Sequence, residues 1–285
     1  MSLSNISPNS TRARRSRPFF AASPYDHGSF FQVHKVAAFA LAFCLTGSVA
    51  YAQAKPTVVL VHGAFADSSS WNGVAAELTN DGYRVVAAAN PLRGLASDAA
   101  AVRTVVNSIP GSVVLVGHSY GGAVISAAAD GAANVKALVY VAAFAPDVGE
   151  NIFELSGKFP GSTLPDALDK PIDLPGGAHD LYIRQDRFPA QFAADIALPQ
   201  ARLMGVTQRP LTDVAGAEKA VAASWKVIPT WWVYGEADRN IPPAAMQWIA
   251  NRAHARKVVT IPGASHVVMV SHPHEVSKLI EAAAH

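Results

Sequence analysis

A run of six residues, Gly117-His118-Ser119-Tyr120-Gly121-Gly122, follows the apolar stretch Ser112 to Val116 and leads at once into a helical pattern. A serine flanked by glycines two residues away on either side is a candidate nucleophile. A sharp turn from strand into helix strains the middle residue and lifts its side chain clear of the sheet, and packing around such a turn admits only small neighbours. The helix N-terminus adds positive potential beside the hydroxyl. A serine hydroxyl is a weak nucleophile at neutral pH, so it needs a base, and the base needs a third group to fix its tautomer.

Two later segments offer these partners. Gly235-Glu236-Ala237-Asp238-Arg239 follows the apolar run ending at Tyr234, and Gly263-Ala264-Ser265-His266 follows the one ending at Ile261. In an open parallel sheet, residues just past strand C-termini converge on one edge, where Ser119, Asp238 and His266 can meet. Glu236 competes with Asp238 for the acid; Asp238 is preferred because the position three beyond the glycine is the habitual one for this chemistry. Among the other histidines, His118 sits beside the nucleophile and points elsewhere, His62 orders the loop that it begins, and His272 and His274 cap or solvate the last helix. No carboxylate or cysteine joins His266, His272 and His274 at metal-binding spacing, so no metal is expected. Two preorganised N–H donors for an oxyanion are expected from Tyr120 and from the loop His62-Gly63-Ala64-Phe65, with Ala64 first and Phe65 as alternative. No organic cofactor is required.

The elements that must position these residues follow from the hydrophobic pattern. Runs rich in β-branched residues at Thr57 to Val61, Arg84 to Ala88, Ser112 to Val116, Ala137 to Val141, Thr230 to Tyr234 and Lys257 to Ile261 read as strands of a parallel sheet. Helical patterns lie between them, at Trp71 to Asn80, Ser97 to Ile109, Gly121 to Asp130, Pro243 to Ala253 and Pro273 to Ala283. Val102, Val105, Val106 and Ile109 share one helix face, as do Val276, Leu279, Ile280 and Ala283. Residues 146–226 break the rhythm. Their length far exceeds a loop of about 4 to 6 residues, they show no convincing strand, and they read as a helical insertion over one edge of the sheet. Phe153, Phe159, Tyr182, Phe188, Phe192 and Trp225 give that cap an aromatic surface; Phe65, Phe144, Phe188 and Trp225 are candidate substrate-binding residues.

With 50% hydrophobic and 15% charged residues in a chain of 285, disorder is excluded for the bulk. The net charge of +2 hides an uneven distribution: Arg12, Arg14, Arg15, Arg17 and Lys35 against Asp26 give residues 1–54 a net +4, which leaves −2 on the rest. The basic excess therefore belongs to a leader and implies no nucleic-acid partner. A basic stretch, an apolar run of about fourteen residues from Val36 to Val49 and Ala52-Gln53-Ala54 before Lys55 form an export-signal pattern. That run is short of the roughly 20 residues of a stable span. Residues 1–54 are thus expected to be an export signal and leader cleaved after Ala54, and residues 55–285 a catalytic domain in the periplasm or medium with no stable membrane span. The single cysteine, Cys44, lies in the leader, so thiol chemistry is absent from that domain.

Four motifs in order, His62-Gly63-Ala64-Phe65-Ala66-Asp67-Ser68-Ser69-Ser70-Trp71, Val116-Gly117-His118-Ser119-Tyr120-Gly121-Gly122, Val141-Ala142-Ala143-Phe144-Ala145-Pro146 and Ser265-His266, resemble the bacterial α/β-hydrolase (AB hydrolase-1) proteins. These are related to the carboxylesterase and hydroxynitrile-lyase branch that includes plant methyl esterases. The resemblance covers Lys55 to Ala284 and implies an α/β-hydrolase fold: a mostly parallel six-stranded sheet flanked by helices, with a helical cap and no first antiparallel hairpin. It also implies a cofactor-free serine hydrolase acting on a small-molecule carboxylic ester through Ser119, His266 and Asp238. Dehalogenases and epoxide hydrolases of this fold use an aspartate nucleophile, against which Ser119 argues. Hydroxynitrile lyases of the plant branch carry a lysine right after the catalytic histidine, where this chain has Val267. A perhydrolase or haloperoxidase, an amidase, and a non-catalytic ligand-binding protein on the same scaffold are the alternatives. The oligomeric state is not legible.

Overall fold

The computed structural model describes residues 54–285, so the expected leader lies outside the described residues. In chain order the strands are β1 (Thr57–Val61), β2 (Val85–Ala88), β3 (Val113–His118), β4 (Val135–Val141), three very short strands β5 (Ile172–Asp173), β6 (His179–Leu181) and β7 (Leu211–Thr212), then β8 (Thr230–Gly235) and β9 (Lys257–Ile261). Six of them form one parallel sheet in the order β2-β1-β3-β4-β8-β9. Every residue of β1, β3 and β8 is buried, whereas the edge strands β2 and β9 are partly exposed. Helices on both faces make the central strands near-continuous apolar runs.

The first helices are α1 (Asn72–Asn80), α2 (Leu95–Asn107) and α3 (Tyr120–Ala128); the last are α9 (Pro243–Arg252), α10 (Val268–Ser271) and α11 (Pro273–Ala283), with α4 to α8 in the cap between. α1 packs against α11, and α2 against α3. The chain moves outward from β1 to β2 and then back across to β3. With right-handed crossovers this reversal puts the two helix pairs on opposite faces and leaves a crevice at the C-terminal ends of β1 and β3. α3 is buried along its whole length, while α11 buries only Val276, Ser277, Leu279, Ile280 and Ala283. Between sheet and helix, Tyr140 stacks on Trp232 at 4.4 Å and its hydroxyl meets Ser126 Oγ at 2.8 Å.

Between β4 and β8 the cap holds α4 (Ile152–Gly157), α5 (Leu164–Ala167), α6 (Phe188–Phe192), α7 (Leu198–Thr207) and α8 (Asp213–Ala217). It also holds an antiparallel sheet in the order β5-β6-β7, which corrects the expectation of a cap without strands. Strands of two or three residues are too short to display the alternation by which a strand is read. The main sheet opens directly at β1 and has no antiparallel member among the described residues. No helix of the described residues is long and apolar enough to cross a membrane.

Candidate active site

Ser119 stands at the joint between β3 and α3 with φ 53° and ψ −122°, a conformation that a non-glycine residue holds only under constraint. Three hydrogen bonds impose it: Ser119 N–H donates to Val141 O at 3.2 Å, and Ser119 O accepts from Gly122 N–H at 3.0 Å and Phe144 N–H at 3.1 Å. The two motif glycines are demanded by space. A Cβ on Gly117 would lie 2.5 Å from Gly121 O, and one on Gly121 would lie 2.6 Å from Val61 O.

His266 and Asp238 meet beyond β9 and β8, with His266 Nδ1 2.6 Å from Asp238 Oδ2 and side chains 1% and 0% exposed. The other carboxylate oxygen, Oδ1, accepts from the N–H groups of Asn240 at 2.7 Å and Ile241 at 3.0 Å. A carboxylate only accepts, so Nδ1 carries the imidazole proton and Nε2 is left with the lone pair, as a general base requires. Glu236, two residues earlier, is exposed and has no such partner. Among the described residues no hydrogen bond within 3.5 Å joins the Ser119 hydroxyl to His266; in unliganded enzymes this contact commonly tightens only when substrate arrives.

The loop after β1 lies against the nucleophile. A Cβ on Gly63 would fall 2.6 Å from Ser119 Cβ and 2.7 Å from His118 O. His62 braces this loop: its Nδ1–H donates to Gly63 O at 2.9 Å, its Nε2 accepts from Asn90 N–H at 3.1 Å, and Asn90 Nδ2 returns a bond to His62 O at 2.9 Å. Phe65 N–H donates to Arg209 O at 2.9 Å and is occupied there. Tyr120 N–H is the first of α3 and, like other first-turn amides, has no partner within the helix. The Tyr120 side chain points away, donating its hydroxyl to buried Asp98 at 2.8 Å. Because a Cβ on Gly63 would overlap Ser119 Cβ and His118 O, Gly63→Ala must shift the loop or the serine turn and is expected to lower kcat by about 10²-fold or more, with a lower melting temperature. Steady-state kinetics beside a thermal melt checks this; unchanged kcat would contradict the close packing.

Burial holds His62 and His118 below the ordinary histidine value, and for His118 the adjacent His266 adds to the effect. Both therefore stay neutral, and His118 Nε2–H donates to the His266 carbonyl at 3.1 Å. An unfolded chain takes up these protons near pH 6.5, roughly, and the native state resists, so the stability is present above that value and lost on acidification. Urea unfolding from about pH 7 to about pH 5 should show a loss of up to about 1.4 kcal/mol per pH unit for each histidine; a flat profile would contradict their burial as neutral groups.

The aromatic candidates separate. Phe65, 6% exposed, meets the Phe192 ring edge-on at 6.2 Å, and Phe144 contributes its backbone to the serine turn. Phe188 is fully buried under Phe192 at 4.9 Å and against Gly205, so it packs the cap rather than facing a ligand. Trp225 donates its indole N–H to Pro146 O at 3.0 Å and borders a groove with Asp147 and Arg252 that none of Ser119, Asp238 and His266 lines; it anchors the base of the cap. The aromatic ring that does reach the site is Phe192, 5.0 Å from the His266 ring. A cleft of about 190 Å³ adjoins the loop after β1, bordered by Phe65, Ala66, Leu203, Met204, Gln208 and Val270; Ser119, Asp238 and His266, all buried, do not line it. Among the described residues no group of three or more His, Cys, Asp or Glu side chains could hold a metal ion.

The chain is 28% identical over 251 residues to a carbendazim hydrolyzing esterase of Nocardioides sp., covering 79% of this chain and 98% of that protein. It is 27% identical over 248 residues to an alpha-hydroxynitrile lyase of Arabidopsis thaliana, covering 79% and 96%. The crystal structure of polyneuridine aldehyde esterase superposes with a TM-score of 0.70 at 21% identity, over 81% of this chain and 100% of that one, which shows a shared fold. The model of the alpha/beta hydrolase family matches residues 58–279. That span runs from β1 into α11 and takes in the serine turn, the cap and both loops of the His266–Asp238 pair, so the chain belongs to the alpha/beta hydrolase family.

Proposed function

We propose that this protein hydrolyses carboxylic esters of small-molecule substrates through an acyl-enzyme on Ser119. The observation that carries the reading is the buried His266–Asp238 pair at 2.6 Å, on the same sheet edge as a serine held at φ 53°. Ser119 Oγ attacks the acyl carbon while His266 Nε2 takes its proton, and the tetrahedral oxyanion lies between the N–H groups of Tyr120 and Ala64. His266 then protonates the departing alkoxide. Water, deprotonated by His266 in turn, releases the acid and restores the serine. Asp238 keeps Nδ1 protonated and stabilises the imidazolium. Two of the relatives named above are esterases, which supports an ester over an amide or a peracid as substrate.

Phe192 against the His266 ring, with Phe65 edge-on to Phe192, narrows the space beside the base and favours short acyl or aryl groups. A p-nitrophenyl ester series should show acetate to butyrate turned over with higher kcat/KM than octanoate and longer chains. Turnover of a cyanohydrin or a matched anilide without ester turnover would overturn the reading. The leader supports action in the periplasm or medium; N-terminal sequencing of the exported protein should begin at Lys55, and a start elsewhere would refute the cleavage site.

A further inference from the structure

Two stretches of the cap reach the loops of the His266–Asp238 pair: Ser162 and Thr163 donate to Asn240 O at 2.9 Å and Arg239 O at 3.0 Å, on the acid arm alone, whereas Gln191 in α6 to Asp195 reaches both arms. Gln191, 6% exposed, donates from Nε2 to Arg239 O at 2.9 Å and to Asn240 Oδ1 at 2.9 Å. These are the two residues that follow Asp238, and Asn240 N–H is itself one of the donors to Asp238 Oδ1. Thr163 Oγ1–H donates to Gln191 Oε1 at 2.8 Å and fixes the amide's orientation. One residue on, the Phe192 ring packs on the His266 ring. Three further on, the Asp195 carboxylate accepts from the hydroxyl of Ser265, the residue immediately before His266; that hydroxyl also lies 3.3 Å from Phe192 O. Ser265 is 1% exposed and the Asp195 side chain 17%. The acid arm, the imidazole face and the base arm are thus each held from the same stretch.

From this juxtaposition we propose that the Gln191–Asp195 stretch is a positioning clamp for the His266–Asp238 pair, with Asp195 as its pin through Ser265. Beyond the strands Ala237 N–H donates to Ala264 O at 3.0 Å and His118 Nε2–H to His266 O at 3.1 Å, which hold the backbone of both loops; further anchors are needed to keep the two side chains within tenths of an ångström of a working geometry. The cap supplies them, so any movement of the cap to admit substrate is coupled to the alignment of the base. Asp195 and Gln191 touch no reacting atom; they act through Ser265 and Asn240. The inference rests on the hydrolase reading above for its effect on turnover, and on contacts alone for its effect on the pair.

The test compares Asp195→Ala and Asp195→Asn with the wild type. The readouts are p-nitrophenyl acetate kinetics, the rate of fluorophosphonate labelling, and the downfield proton resonance of the His266 Nδ1–H bond to Asp238. For Asp195→Ala, kcat and the labelling rate should fall about tenfold to a hundredfold, KM should stay within about threefold, and the resonance should broaden or vanish. Asp195→Asn keeps an oxygen acceptor for Ser265 and should recover kcat to within about threefold of wild type. Ser265→Ala breaks the same contact from the other side and must reproduce the loss if Asp195→Ala does not accumulate. A wild-type kcat with a sharp resonance in Asp195→Ala would overturn the clamp, as would a change confined to KM. The resonance decides the clamp even if the wild type neither labels nor turns over ester, an outcome that would sink the hydrolase reading alone.

Discussion

Ser119→Ala is expected to lower kcat toward p-nitrophenyl acetate by about 10⁶-fold, and fluorophosphonate labelling to disappear. The substitution deletes a single oxygen and keeps the Cβ around which Gly63 is packed, so the turn, its three hydrogen bonds and the melting temperature should persist. Under the proposed mechanism the residual rate is that of oxyanion stabilisation acting on water, about 10³-fold over the uncatalysed reaction. His266→Ala should fall by a similar factor, because nucleophile and base act as a unit and the effects do not add. A variant that folds and retains more than a few per cent of turnover would mean that another group attacks the ester.

Asp238→Asn is expected to cost about 10⁴-fold in kcat, whereas Glu236→Gln should stay within about twofold, as an exposed substitution touching nothing does. The reason lies in the donors around Asp238. Oδ1 accepts two backbone N–H groups, from Asn240 and Ile241, and Oδ2 accepts from His266 Nδ1. An amide has one oxygen, and the two fixed backbone donors claim it, which turns the NH₂ toward His266. Nδ1 must then accept, the imidazole proton moves to Nε2, and the base is disabled while the site keeps its shape. Kinetics of the two variants side by side checks the assignment; the reverse order would move the acid to Glu236.

Much of this arrangement is legible in the sequence because it is written locally. The serine turn declares itself through glycines at fixed offsets, and Asp238 and His266, the proposed acid and base, by following apolar strands. Spacing favours Asp238 over Glu236, and in the structure Asp238 is buried against His266 while Glu236 is exposed. Long-range contacts leave no such mark. Ala64 and Phe65 are indistinguishable as donors until Phe65 N–H meets Arg209 O, 144 residues along the chain. The cap aromatics illustrate the same limit: their apolar character indicates burial but not what they are buried against. Phe188 and Trp225 hold the cap together, and Phe192, four residues after Phe188, faces His266. Nothing local points to Asp195, whose partner Ser265 is 70 residues away.

The most direct test of ester hydrolysis through Ser119 is to quench the protein during turnover of a p-nitrophenyl ester and map the acyl adduct by mass spectrometry of the tryptic peptide spanning residues 104–136. A single acyl group on Ser119, formed and discharged at rates that match kcat, is the expected result. Steady turnover with no adduct on that peptide, or an adduct on another residue at a competent rate, would contradict it.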